Sequence, residues 1–148
     1  MSRRRFPVGV QDFESIIKDG FVYVDKTEYI YDLANNYGNA MFLSRPRRFG
    51  KSLLCSTLRH YFQGHKELFK GLAIDKLEKN WTEYPVFHFD MSRCKNDDPH
   101  FVKVSLSSML GDFEKKYGVS DEDLSFGGRL ERLIITAHER TGNRAVLI

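Results

Sequence analysis

Long apolar runs are missing from this sequence. None approaches the ~20 residues that span a bilayer, and the amino-terminal MSRRRFPVGVQDF is basic without a following apolar stretch or cleavage site. Neither a spanning helix nor a signal peptide is therefore expected. Cysteine is scarce: Cys55 and Cys94 stand in unrelated contexts without metal-ligand spacing and read as free thiols, buried or half-buried, in a reducing cytoplasm. Internal repeats, low-complexity tracts and Pro/Ser/Gly-rich linkers are absent, and 148 residues make about one domain. The most telling gap is in acid. From Leu33 to Lys66 there is no Asp or Glu, while Arg45, Arg47, Arg48, Lys51, Arg59 and Lys66 all fall inside. The net charge of +3 implies no particular partner, but so one-sided a stretch is either a solvated basic face or an anion site.

What is present is a series of short apolar blocks separated by helical patterns. Residues 21–24 (FVYV) are apolar and β-prone, between Gly20 and Asp25. The segment 25–38 predicts a helix: Asp25 caps it with Glu28 three positions on, Tyr29, Ile30, Leu33 and Tyr37 form a stripe, and Gly38 stops it. Residues 40–44 (AMFLS) form an unbroken apolar run, as expected of a strand buried on both faces. Leu54, Leu58, Tyr61 and Phe62 then recur on one helical face, with Gly64 as the stop.

Pro85 opens a second strand, VFHFDM. A helix from about His100 carries Val102, Leu106, Met109, Leu110, Phe113 and Tyr117 on one side, and Gly118 follows it. Another from about Ser125 turns Leu130, Leu133, Ile134 and Ala137 inward and ends at TGN, before a third strand, RAVLI, at 144–148. Solid apolar strands alternating with helices predict an α/β fold, a parallel sheet with helices on its faces. A chain that stops inside a β-run is expected to be a fragment.

Between the first strand and the helix after it lies SRPRRFGKSLL. Three cations crowd the predicted start of a helix, whose partial positive charge should make each cost roughly 0.3–1 kcal/mol. The signature G-x-x-x-x-G-K-[ST] between strand and helix marks a loop that cradles phosphates. Its tail matches here at Gly50, Lys51 and Ser52, while Arg45 replaces the first glycine. Gly50 lets successive N–H groups turn into one concavity, Lys51 reaches the β- and γ-phosphates, and the Ser52 hydroxyl holds Mg²⁺. Charge-assisted hydrogen bonds of about 1.5–3 kcal/mol each would more than offset the repulsion among the cations. The plain alternative is a glycine turn, an exposed lysine and a capping serine.

RPRRFGKS, with arginine for the first glycine, resembles the bacterial AAA-ATPase-like family of P-loop proteins, as do PVGVQDFESI, YVDKTEYI, LFKGLAIDKLEKNW and YPVFHFDMS. The resemblance runs from about Pro7 to Ile148. It implies a P-loop NTPase-type parallel sheet flanked by helices, present in residues 1–148 only as its N-terminal part, with ATP as ligand and Mg²⁺ as its ion. The family's phosphate loop falls on Arg45, Pro46, Arg47, Arg48, Phe49, Gly50, Lys51, Ser52 and Leu53, with Lys51 acting on the transferring phosphoryl group and Ser52 on the metal.

The resemblance also implies a Walker B carboxylate directly after AVLI, and a C-terminal PD-(D/E)xK nuclease-like domain in many relatives, through which nucleic acid becomes a partner. Hydrolysis is expected of the full-length protein and not of this fragment. The VDKT stretch (24–27) matches a family segment of unassigned role: Asp25 and Thr27 read either as caps or as neighbours of the nucleotide. The rival classes are a nucleic-acid or anion-binding module that uses the basic loop without turnover, and a switch that binds ATP and hydrolyses it slowly.

Of the remaining candidates, Asp90 ends the second strand and reads as a hydrogen-bond acceptor or a ligand neighbour. His88 reads as a strand histidine. His60, His65, His100 and His138 show no metal spacing with one another. The SRRR at the start reads as a solvated tail or a phosphate-contacting arm, and Trp81 and Tyr84 as packing residues before the second strand.

Overall fold

The computed structural model describes residues 5–36, 38, 40–93, 99–119 and 124–148, which gather into two compact units, Met1–Glu83 and Tyr84–Ile148. In the first, α1 (Phe13–Lys18) starts where the Asp12 carboxylate accepts from the Ser15 N–H, a side-chain cap that satisfies one orphan donor. Then follow α2 (Thr27–Asn36), α3 (Lys51–Phe62), a 3₁₀ turn at Lys66–Phe69, and α4 (Ala73–Leu77). Phe13, Ile30, Tyr61, Leu68, Phe69 and Ile74 form the core, and Leu54, Leu58 and Trp81 pack on it. The rings of Phe13 and Phe69, both fully buried, lie 4.8 Å apart. Burying each such side chain contributes about 1.5–3 kcal/mol.

Asp25 and Thr27 join two helices of this unit. Asp25 Oδ1 accepts from the Thr27 N–H (2.9 Å) and hydroxyl (2.7 Å), and its Oδ2 accepts from the Ala73 N–H (2.7 Å). Thr27 Oγ1, wholly buried, accepts in turn from the Ile74 N–H at 3.1 Å. The start of α2 and the start of α4 thus share one set of hydrogen bonds, and the capping reading of VDKT is the one the structure supports.

In the second unit, β1 (Val86–Phe87) and β2 (Val146–Leu147) run parallel, with Val86 opposite Val146 and Phe87 opposite Leu147. Helices α5 (Pro99–Tyr117) and α6 (Phe126–Thr141) pack on Phe87 through Leu110, Tyr117, Leu133 and Ala137. Ser125 caps α6 by accepting from the Gly128 N–H, and Gly142, at φ +71°, ends it.

The expected fold class is not met. Helices dominate the described residues, and the one sheet among them has two strands of two residues each, so no P-loop NTPase-type parallel sheet flanked by helices is formed. The run at 40–44 is where the expectation fails. It lies exposed, outside any strand and with no ladder partner among the described residues. An apolar run fits a buried strand by composition, but a strand exists only where a neighbour meets its N–H and C=O groups. Residues 21–24 also stay outside any strand: the Phe21 N–H donates to Ile16 O, and that of Val22 to Arg5 O. Tyr37, Cys94 and residues 2–4 of the basic arm lie outside the described residues.

Candidate functional site

The loop before α3 turns on Gly50. This residue caps the helix in the left-handed region, at φ +74° and ψ 20°, and no side chain caps the helix there. The first intrahelical bond runs from the Leu54 N–H to Gly50 O, so the amides ahead of Leu54 have no partner within the helix. Arg48 also has a positive φ, of 66°, whereas Arg45, at the missing-glycine position, does not. The left-handed backbone conformation that a non-glycine residue must bear in this loop is therefore at Arg48.

Lys51 closes the loop. Its ammonium donates to Arg45 O at 2.6 Å and to Pro46 O at 2.8 Å, so the backbone from 45 to 51 curls around the charge. Arg45, Pro46, Arg47, Arg48, Phe49, Gly50 and Ser52 are exposed, Lys51 is partly so, and Leu53 packs against the core of the unit. Among the described residues no carboxylate pairs with Arg45, Arg47 or Arg48. The result is an exposed helix start with unpartnered amides, a hydroxyl at its second residue and four cations around it, a donor set suited to an anion with several oxygens.

The model of a family described as "Predicted AAA-ATPase" matches residues 7–148. The chain belongs to this AAA-ATPase-like family. Among curated proteins it is 34% identical over 150 residues to an uncharacterized protein in the vnfD 5′ region of Azotobacter chroococcum mcd 1, covering 100% of the present chain and 29% of that relative. The chain thus spans less than a third of the relative it matches. No solved structure matches it. Membership supports a generic ATPase-like reading.

A second polar cluster, which the sequence did not reveal, lies around Asp12. Its Oδ1 accepts from the Ser56 hydroxyl and from Arg59 Nη2, both at 2.9 Å, and Ser56 Oγ accepts from the Phe13 N–H at 2.9 Å. Burial pushes the Asp12 carboxyl upward, but the Ser15 N–H, the Ser56 and Ser15 hydroxyls and the Arg59 charge outweigh it, so the group ends below its ordinary range. Asp12, Glu14 and His60 bring metal-type ligand atoms within 4.8 Å of one another. Those atoms are already engaged: Asp12 holds Ser56 and Arg59, Glu14 holds Lys18 at 2.5 Å, and His60 Nε2 lies 3.1 Å from Arg59 Nη2. The cation of this cluster is the Arg59 guanidinium. The signals that bring these groups together are 44 to 47 residues apart in sequence, too far for a local pattern to display.

The other sequence candidates take structural places. Asp90 Oδ1 accepts from the Ser92 N–H at 3.0 Å, closing a turn. Trp81 packs in the core of the first unit, 5.2 Å from Phe69 at a tilt and 5.9 Å from Tyr61 edge to face. Cys55 is a partly buried thiol on α3. His60 and His65, which show no metal spacing, approach each other nitrogen to nitrogen at 2.8 Å.

Proposed function

We propose that this chain supplies the nucleotide grip of an ATP-hydrolysing protein, with the triphosphate held at the start of α3. The observation that carries the reading is the position of the Lys51 ammonium, enclosed by the carbonyls of Arg45 and Pro46 beside unpartnered helix amides. A polyphosphate fits this donor set: amide N–H groups ahead of Leu54, the ammonium, and the guanidinium groups of Arg45, Arg47 and Arg48, which have no carboxylate partners among the described residues. Exchange of two neutral carbonyls for phosphate oxygens would strengthen the hydrogen bonds of Lys51, because both partners are then charged. Gly50 keeps the turn open, and Leu53, packed on the core, anchors the first turn of the helix.

For Mg²⁺ the loop offers the exposed Ser52 hydroxyl as a neutral side-chain oxygen donor. This fits an ion that takes the rest of its shell from phosphate and water and supplies charge neutralisation at the γ-phosphate. In that arrangement Lys51 stabilises charge on the transferring group, and the arginines hold the phosphates against the helix.

Titration of the 148-residue chain with a fluorescent ATP analogue in the presence of Mg²⁺ tests the reading. Lys51→Ala is expected to weaken binding about 10- to 100-fold, the loss of one charged hydrogen-bonding group. An unchanged affinity sinks it. The second reading, a nucleic-acid or anion binder without turnover, is favoured by Phe42 and Phe49, 93% and 64% exposed within the basic stretch, where bases can stack. In that case Lys51→Ala weakens binding only modestly and lowers the salt slope by about 1.

A further inference from the structure

At the end of the helix that starts at the loop, and in the turn after it, lie three groups whose hydrogen bonds admit only one arrangement of protons. Arg59 Nη2 lies 3.1 Å from His60 Nε2, and His60 Nδ1 lies 2.8 Å from His65 Nδ1. A guanidinium can only donate, so His60 Nε2 must be the acceptor, with its lone pair free. A neutral imidazole carries its one proton on the other nitrogen. His60 therefore donates from Nδ1, His65 accepts at Nδ1, and the proton of His65 sits on Nε2. Both rings are neutral in this chain of bonds. A proton added to His60 places N–H against N–H at Arg59, and a proton added to His65 does the same between the two rings.

We propose that Arg59, His60 and His65 form a proton-sensitive latch that holds the end of α3 closed on α1 at neutral pH and releases it in mild acid. The latch is tied to α1 through Arg59, whose Nη2 also donates to Asp12 Oδ1, and through the buried His60, 3% exposed, whose ring lies 6.3 Å from that of Phe13. The charged groups facing it are Asp12 and Glu14 from α1, with Glu14 already paired to Lys18, Arg59 from its own helix, and His65 from the turn that follows. Lys66 and Glu67 begin the next 3₁₀ turn. Burial, the Arg59 charge and His65 favour the neutral ring of His60, and they outweigh the opposing pull of Asp12 and Glu14.

The folded His60 binds its proton less readily than the unfolded chain does, so its contribution is complete above the ordinary histidine range, near 6.5, and declines as pH falls below it. Asp12, held below its ordinary value, stays ionised throughout that window.

Nitrogen-detected NMR of the histidines in the 148-residue chain at about pH 7.5 tests the arrangement directly. The expected spectrum shows His60 protonated on Nδ1 and His65 on Nε2; the opposite tautomer at His60 overturns the proposal. The second measurement compares the melting temperature at about pH 7.5 and 5.5 in the native chain and in His60→Gln, whose side-chain amide can accept from Arg59 and donate to His65 but cannot titrate. The native chain is expected to lose several degrees on acidification, and His60→Gln at least half less. An equal loss in both overturns the latch. If His60→Gln fails to fold, amide exchange at Phe13, Ile16 and Ile17 in the native chain decides: protection of α1, corrected for intrinsic rate, should fall in acid, and constant protection overturns the proposal.

Discussion

Asp12 shows how one side chain serves two levels of structure at once. One oxygen caps α1 through the Ser15 N–H and the other binds α3 through Ser56 and Arg59. Asp12→Ala leaves Ser15, Ser56 and Arg59 without this acceptor, and a loss of about 1–2 kcal/mol is expected, mostly from the cap, since the side chain is 40% exposed and water screens its ion pair with Arg59. Asp12→Asn keeps an oxygen for the cap and should lose less; urea unfolding midpoints of the two variants rank them. Because the folded carboxyl titrates below its ordinary 3.8, the unfolded chain takes up the proton first on acidification. The contribution of Asp12 is thus present above that value and lost as pH falls through the folded one, a loss that Asp12→Asn should remove from the acid limb of a stability curve. The loop at Gly50 stands out in the sequence because glycine, lysine and serine are adjacent there. The Asp12 cluster does not, because its partners meet only after α1 and α3 have packed.

Among the elements, α3, α5 and α6 follow their apolar stripes, and α6 also has both ends written in sequence, Ser125 at the start and Gly142 at the stop. Helix α1 has only six residues, under two turns, so no stripe could announce it; its signal was Asp12 three places before Ser15. The run at 40–44 carried a composition suited to a strand but no information on what would pair with it. The most exacting element-level contact is between α5 and α6, where Arg129 Nε and Nη2 donate to the two oxygens of Glu114 at 2.8 and 2.6 Å. The hydrogen bonds from Arg129 lower the Glu114 carboxyl, burial opposes them, and the Arg129 charge adds to the lowering. Removing Arg129 leaves that carboxylate buried without its main partner, and Arg129→Ala should cost about 3–5 kcal/mol at neutral pH. With burial then dominant, the Glu114 carboxyl should move above its ordinary 4.5. The variant's deficit should therefore shrink on acidification as Glu114 takes up a proton. Urea unfolding of Arg129→Ala at neutral and at mildly acidic pH checks both statements, and a deficit that stays constant with pH contradicts the second.

At the scale of the whole molecule, each unit has an aromatic and aliphatic core of its own, one built on Phe13 and Phe69, the other on Phe87, Leu110 and Leu133. The sequence, without linker-like composition, gave no sign of a division at Glu83, because a boundary between two cores needs no Pro/Gly/Ser tract when the chain passes directly from one to the next. The two cores can be followed separately, because the single tryptophan, Trp81, lies in the first and packs against Phe69 and Tyr61. Its fluorescence reports that unit, whereas far-ultraviolet circular dichroism sums over the helices of both. Leu133 is fully buried between α6 and the rest of the second core, so Leu133→Ala should destabilise that unit by about 2–5 kcal/mol through lost burial and the cavity left behind. The expected outcome is a circular dichroism transition that begins at lower urea while the Trp81 transition stays in place. Phe69→Ala, in the first core, should move the Trp81 signal instead. If Leu133→Ala shifts both probes together, the two cores unfold as one cooperative body, and the stability of the loop at the start of α3 depends on residues as distant in sequence as α6.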